Sequence, residues 1–184
     1  MQLTLKKNKT SKQLLWIGIV SIVMFFAGLT SAYIVRKAEG GWLEFEMPVW
    51  FTISTVAIVA SSALLLFAAQ NARAGRSATN LLLGTLAIGV FFTYSQVQGW
   101  DDLVAQGVYL TGEGSNASGS FIYALTLMHL LHLIGGLIAL GITAVKSKQG
   151  KYTKDNYLGI QLTSIYWHFL GILWLYLFLF FTYA

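Results

Sequence analysis

Five apolar stretches, each about 20 residues or longer, restrict what this chain can fold into. They run over roughly 14–35, 48–69, 80–100, 121–145 and 158–183. A stretch of this length is what an α-helix needs to cross the roughly 30 Å hydrocarbon core of a membrane. Backbone groups in that core must be hydrogen-bonded within the protein, which favours helices. The sequence therefore predicts an all-α, polytopic membrane protein, a bundle of five transmembrane helices forming a single membrane domain over 1–184.

The composition agrees with lipid as the main solvent. Of the 184 residues, 56% are hydrophobic and 10% are charged, whereas a soluble domain carries about 25% charged residues. The net charge of +5 does not indicate nucleic acid as a partner, because too little polar surface is left to bind it. The chain has no cysteine, which excludes disulfides, iron–sulfur clusters and thiolate metal sites.

The charged residues between the stretches predict the topology, since Lys and Arg favour the cytoplasmic side. The two sides of the membrane differ sharply in charge. One side carries Lys6, Lys7, Lys9, Lys12, Arg73, Arg76, Lys146, Lys148, Lys151 and Lys154. The other carries Arg36, Lys37, Glu39, Glu44, Glu46, Asp101, Asp102 and Glu113. We therefore expect the N-terminus inside and the C-terminus outside, with the first stretch retained because it is longer than the apolar core of a signal peptide.

Polar residues within the stretches are few, and no Asp, Glu, Lys or Arg lies in the middle of any stretch. A proton relay or ion path normally shows such a residue, so a pump or ion-coupled transporter is disfavoured. The fourth and fifth helices do carry polar residues at helical spacing, which places each set on one face. These residues are Thr126, His129 and His132 on the fourth helix and Gln161, Ser164 and His168 on the fifth. Both faces are expected to contact each other or a partner, because lipid penalises unpaired polar groups.

Three interpretations of the histidines are open. They are neutral hydrogen-bonding residues inside the bundle, or haem ligands, or metal ligands. His129 and His132 share a face, so a haem held from both sides would use His129 and His168. A metal site of all three histidines lacks the carboxylates that usually accompany it. We also find no phosphate-binding glycine loop, no carboxylate pair for acid–base chemistry and no nucleophile constellation.

Several of these segments resemble subunit III of the haem-copper terminal oxidases. "YWHFLGILWLYLFLF" resembles the last helix of that family, and "GSFIYALTLMHLLHLIGG" resembles the preceding helix with its histidine pair. "SIVMFFAGLTSAYI" and "FFTYSQVQGW" are similar to two earlier helices. The order and spacing correspond to the family's five-helix type. Acidic residues that the family carries are replaced here by Ile22, Gly99, Gln161 and Gly171, so no role that depends on those acids is carried over.

The resemblance implies a non-catalytic subunit of a bacterial respiratory oxidase in the cytoplasmic (inner) membrane. It implies direct packing against subunit I, association with subunit II and other respiratory subunits, and bound phospholipid. Haem and copper are expected in partner subunits, with no catalytic, cofactor or metal residues in this chain. The polar residues expected to form contacts between helices are His129, His132, Gln161, Ser164, Trp167 and His168. The alternatives are a small haem-b electron carrier using His129 and His168, and the related accessory subunit of a nitric oxide reductase.

Overall fold

The computed structural model describes residues 2–154 and 156–184, with side chains from residue 9 onward. Its helices are α1 (Gln2–Ala38), α2 (Val49–Arg73), α3 (Thr79–Ala105), α4 (Ala117–Lys148) and α5 (Leu158–Tyr183). Over these described residues, all five are long and apolar enough to cross a membrane, α1 through its portion Lys9–Ala38. The predicted fold class is confirmed. The predicted orientation stays a prediction, and the side chains of Lys6 and Lys7 lie outside those described.

Four of the helices extend beyond the predicted apolar stretches. The predicted fourth helix, 121–145, is observed as α4, Ala117–Lys148, while the predicted end points of the fifth helix match α5. Hydropathy marks the hydrocarbon layer, but a helix continues into the headgroup region wherever its end groups are satisfied. At the start of α4 the side chain of Asn116 accepts a hydrogen bond from the Ser118 backbone N–H at 3.1 Å, which caps the helix before its apolar part begins.

Helices α2 to α5 form a closed ring in which each helix packs against two neighbours. The pairs are α2 with α3, α3 with α4, α4 with α5, and α5 with α2. The ring encloses a main core, whose largest fully buried side chains include Trp167, Trp174, Phe51 and Phe92. These four residues come from α2, α3 and α5, and their side chains pack together in the middle of the ring.

Helix α1 lies outside this ring and, through its described residues, packs against α4 and α5. A second, smaller cluster joins it to them through the buried side chains Phe26, Tyr33, Leu125, Leu173 and Leu177. A much smaller share of α1 is buried than of any other helix. The wide apolar faces left on α1, α2 and α5 are what a membrane protein presents to lipid or to other membrane subunits.

Candidate functional site

Trp167 on α5 lies at the centre of the polar and aromatic packing. Its indole is fully buried, and its Nε1–H donates to Ser61 Oγ on α2 at 3.0 Å. On α3, a Cβ added to Gly89 would come within 2.6 Å of Trp167 Cη2. On α4, a Cβ added to Gly136 would lie 3.4 Å from Trp167 Cε3. The indole therefore fits into space that two glycines leave open, and it connects all four helices of the ring.

Most other polar side chains inside the bundle are paired between helices. Trp174 Nε1–H donates to Thr55 Oγ1 at 2.9 Å, and Gln96 Nε2 donates to Ser54 Oγ at 2.8 Å. Further side-chain pairs between helices join Trp100 to Thr126, Thr143 to Thr163, Thr79 to Ser147 and Tyr176 to Thr30. Such bonds determine which helices meet, because hydrocarbon offers a polar group no other partner.

His132 and Tyr166 connect α4 to α5. The Tyr166 hydroxyl donates to the backbone carbonyl of His132 at 3.2 Å. The His132 ring binds within its own helix, with Nδ1 2.6 Å from the Met128 carbonyl oxygen, and contacts the Phe26 ring of α1 with 5.8 Å between ring centroids. His132 therefore contacts α1 through its imidazole ring and α5 through its backbone carbonyl.

His129 is fully buried in the ring and packs against aromatic rings. Its imidazole centroid lies 5.3 Å from that of Trp174 and 6.0 Å from that of Phe92. Neither Nδ1 nor Nε2 has a hydrogen-bond partner within the described residues, and Gln96 Oε1 is in the same condition. The imidazole is placed as a packing group between α3, α4 and α5.

The side chains of Gln161 and Ser164 form none of the hydrogen bonds seen between the described helices. Ser164 is buried and Gln161 half-buried, but none of the interhelical bonds of the described residues involves either side chain. The neighbouring Thr163 makes the contact instead, with its Oγ1 2.9 Å from Thr143 Oγ1 on α4. Sequence reasoning missed Thr163 and the α2 hydroxyls Thr55 and Ser61. For Thr55 and Ser61 the signal is the group of Ser and Thr residues in an otherwise apolar α2.

His168 faces away from the ring interior and lines a groove between α2 and α5. The groove has a volume of about 290 Å³, and Ser62 and Gly171 also line it. His168 is half-buried, and its Nε2 is buried without a hydrogen-bond partner in the described part of the chain. A Cβ added to Gly171 would lie 3.2 Å from Ser62 Oγ, so α2 and α5 approach closely one turn beyond His168.

The geometry does not favour haem or metal binding by the histidines. His129 contacts Phe92 and Trp174 in the core, whereas His168 lines a groove at the edge of the ring. His129 is fully buried and packs against the rings of Trp174 and Phe92, so its ring offers no open face to a flat macrocycle. Across residues 9–154 and 156–184, no three His, Asp or Glu side chains come together in an arrangement that would hold a metal ion.

Two of the positions that depart from the oxidase pattern have a packing explanation. The buried Phe51 ring from α2 occupies the space beside Gly99, and a Cβ at Gly99 would collide with it. A carboxylate side chain is therefore incompatible with this packing. Ile22, in turn, packs at the edge of the α1 cluster that contains Phe26. An apolar side chain suits that place, because its surroundings are apolar.

Comparison with known proteins identifies the family. The family described as Cytochrome c oxidase subunit III matches residues 42–184. A probable cytochrome c oxidase subunit 3 of Nocardia farcinica is 34% identical over 173 residues, which cover 90% of this chain and 82% of the relative. The corresponding protein of Mycobacterium leprae is 30% identical over 168 residues, covering 88% and 82%. The cytochrome c oxidase subunit 3 of Thermostichus vulcanus is 28% identical over 177 residues, covering 89% and 82%. The chain is a multi-pass membrane protein that belongs to the subunit III family of the haem-copper oxidases.

Proposed function

We propose that this chain is a structural, non-catalytic subunit that packs directly against the oxygen-reducing subunit I of a bacterial oxidase. In this role it supports assembly of the complex and keeps proton-coupled oxygen reduction stable over many turnovers. The observation that carries the proposal is the use of polar groups inside the bundle. Apart from His129, Ser164, His168 Nε2 and Gln96 Oε1, the buried polar side chains of the described residues bind other polar side chains or nearby backbone carbonyls. Groups used in this way hold helices together.

The proposal places haem and copper in partner subunits and none in this chain. Subunit II and other respiratory subunits are the further partners, together with membrane phospholipid along the apolar faces. The location is the cytoplasmic (inner) membrane of a bacterium. Three observations support these assignments: the relatives from Nocardia and Mycobacterium are bacterial, the basic loops lie on one side of the helices, and large apolar side chains are exposed along the spans.

The two alternatives find less support. A haem-b carrier requires His129 and His168 to face one macrocycle, and they lie in different environments. An accessory subunit of a nitric oxide reductase would share the helix pattern, but the similar proteins reported above carry the name of cytochrome c oxidase. The oxidase assignment therefore remains the proposal.

The experiment is purification of the tagged full chain from its host membrane in mild detergent. We expect oxidase subunits I and II to co-purify, with haem and copper in amounts that match those subunits. The chain separated from them should give no haem band in a reduced-minus-oxidised spectrum. A haem band in the isolated chain, or a nitric oxide reductase as the partner, would replace this proposal with the corresponding alternative.

A second measurement tests the stabilising role. Oxidase prepared without this chain should start at a similar turnover rate and lose activity after fewer turnovers than the complete complex. Adding the purified chain back should restore the longer active lifetime. An equal lifetime with and without the chain would contradict the stabilising role while leaving the assignment as a subunit intact.

A further inference from the structure

A polar cavity lies over the end of the ring on the side that carries the basic loops. Its volume is about 310 Å³, the size of a small binding site. All four ring helices contribute to its walls near their ends, through Ala72, Thr79, Ser147 and Ile160. The grooves along the sides of α5 are lined almost wholly by apolar side chains, whereas polar groups form much of this cavity. Its ligand is therefore expected to be polar.

The floor of the cavity is closed toward the membrane. It consists of Ala72, Ala78 and Ile160, which are buried and belong to the main core of the ring. Because packed core side chains fill the ring beneath them, a ligand would enter from the aqueous side. This position favours a water-soluble ligand over a lipid, whose acyl chains would have to remain outside the ring.

The loops around the cavity carry an excess of positive charge. Residues 70–80 and 145–158 contain six basic residues and one acidic residue. Arg76 from one loop and Lys148 from the end of α4 line the cavity itself, and neither forms a salt bridge within the described residues. The positive-inside rule accounts for basic loops on this side, but not for two cations that line one cavity. An anion is the ligand that such a pair would bind.

The backbone beside the cavity is fixed by hydrogen bonds. Helices α2 and α4 end in the same motif, with a glycine at positive φ, Gly75 at 72° and Gly150 at 67°. The residue after each glycine donates its backbone N–H to the preceding helix, as Arg76 does to the Asn71 carbonyl at 2.8 Å. This is the hydrogen bond of a Schellman motif. Because the backbone of Arg76 is already ordered, less conformational entropy is lost when its side chain binds an anion.

Hydroxyl groups complete the lining of the cavity. Thr79 Oγ1 and Ser147 Oγ lie 2.9 Å apart and share a hydrogen bond between α3 and α4. The pair has two hydroxyl hydrogens and uses one of them in this bond, so one O–H remains as a donor. Ser77 adds a third hydroxyl. A guanidinium, an ammonium and hydroxyl donors around one small space are the groups that bind the oxygens of a phosphate group.

We propose that this cavity binds the phosphate group of a water-soluble anion, through Arg76, Lys148 and a hydroxyl of the Thr79–Ser147 pair. Inorganic phosphate is the simplest such anion, and a phosphate ester of a small organic molecule belongs to the same class. The ligand would connect the two loops and stabilise the ring, because it binds the folded state and not the unfolded one. The inference is independent of the oxidase assignment, since the site is formed within this chain.

The test measures binding of inorganic phosphate to the full chain in nanodiscs of phosphatidylcholine, a lipid without net charge. Isothermal titration calorimetry gives the affinity, and we expect saturable binding and a thermal midpoint that rises with phosphate but not with chloride at equal ionic strength. Arg76→Gln and Lys148→Gln should each weaken binding about tenfold. Lys146→Gln is the matched control, because it removes one charge from the same helix end but Lys146 is exposed and does not line the cavity. The midpoint of each variant without phosphate shows whether it folds.

A second series distinguishes a soluble phosphate from a lipid headgroup. Nanodiscs that contain phosphatidylglycerol should give the same phosphate affinity, at a salt concentration that screens the bilayer charge. Competition by phosphatidylglycerol that Arg76→Gln removes would assign the cavity to a headgroup and overturn the water-soluble ligand. A lack of saturable binding, or equal weakening by Lys146→Gln, would overturn the site altogether. Either result leaves the oxidase assignment in place, because that assignment depends on co-purification.

Discussion

Trp167 on α5 contacts each of the other three helices of the ring. It is fully buried, it hydrogen-bonds to α2 through Ser61, and it fills the space left by Gly89 on α3 and Gly136 on α4. Large aromatic side chains contribute strongly to core packing, and an indole N–H needs a partner when buried. The oxidase-like motif "YWHF" thus has a packing explanation at its second position.

Replacing Trp167 by Phe should weaken the ring by removing its hydrogen bond to Ser61 and part of the indole that packs against Gly89 and Gly136. The hydrogen bond alone contributes about 1–2 kcal/mol to the free energy of unfolding, and the cavity left by the smaller side chain adds to the loss. Thermal unfolding in detergent, followed by fluorescence-detected size-exclusion chromatography, measures the effect. Trp16→Phe is the control, since Trp16 is 55% exposed and should tolerate the change. Equal midpoints for the two variants would contradict the assigned role.

Gly89 tests the packing without altering Trp167 itself. A Cβ at this position would come within 2.6 Å of Trp167 and 2.8 Å of Leu137, so Gly89→Ala should destabilise the protein by about 1–3 kcal/mol through overpacking. Gly84→Ala on the same helix is the matched control, because its Cβ would make an ordinary 3.6 Å contact with Leu64. The same thermal measurement should show a lower midpoint for the Gly89 variant alone.

At the scale of elements, the ring and α1 differ in how firmly they are held. Helices α2 to α5 are joined around a closed circuit by aromatic packing and hydrogen bonds. The contacts seen for the described part of α1 are a small apolar cluster and hydrogen bonds from Tyr176 to Thr30 and from Lys37 to the Ala184 carbonyl. Regions with few buried contacts open at low free energy, so α1 should be the first helix to separate from the bundle.

Removing the Tyr176 hydroxyl should loosen α1 and leave the ring intact. In Tyr176→Phe the Thr30 hydroxyl keeps only its bonds to its own helix. We expect faster hydrogen–deuterium exchange in the outer half of α1, with exchange in α2 to α5 unchanged. Tyr94→Phe is the control, since Tyr94 is 53% exposed and packs against Trp50 rather than α1. Faster exchange throughout the ring would show that α1 and the ring are one cooperative unit.

At the scale of the whole molecule, the charged residues that flank the helices are distributed unevenly between the two ends of the bundle. Ten of the twelve basic residues lie on one side of the five helices and six of the seven acidic residues on the other. The positive-inside rule turns this asymmetry into an orientation. With an odd number of spans we expect the two ends of the chain on opposite sides of the membrane, and the basic loops toward the cytoplasm.

Reporter fusions test this orientation. Green fluorescent protein inserted in the α4–α5 loop after Gly150 should fluoresce, because that loop is expected inside. Alkaline phosphatase fused after Ala184 should be active, because the end of α5 is expected outside. The exchanged fusions, phosphatase at 150 and fluorescent protein at 184, should both be inactive. Activity in the exchanged pair would reverse the predicted topology.

The number of spans, the all-α class and the family could be predicted from the amino-acid sequence, because hydropathy and motif spacing are properties of the chain read in order. The use of the polar residues could not be predicted, because it depends on how the helices pack. His129 lies among aromatic rings, Thr163 makes the contact to α4, and His168 turns toward α2. Periodicity places a residue on a helix face, but what that face meets depends on how neighbouring helices are rotated and how closely they pack. Gly99 is an example of a position that the sequence alone does not explain. It has no side chain because the Phe51 ring of α2 occupies the space beside it.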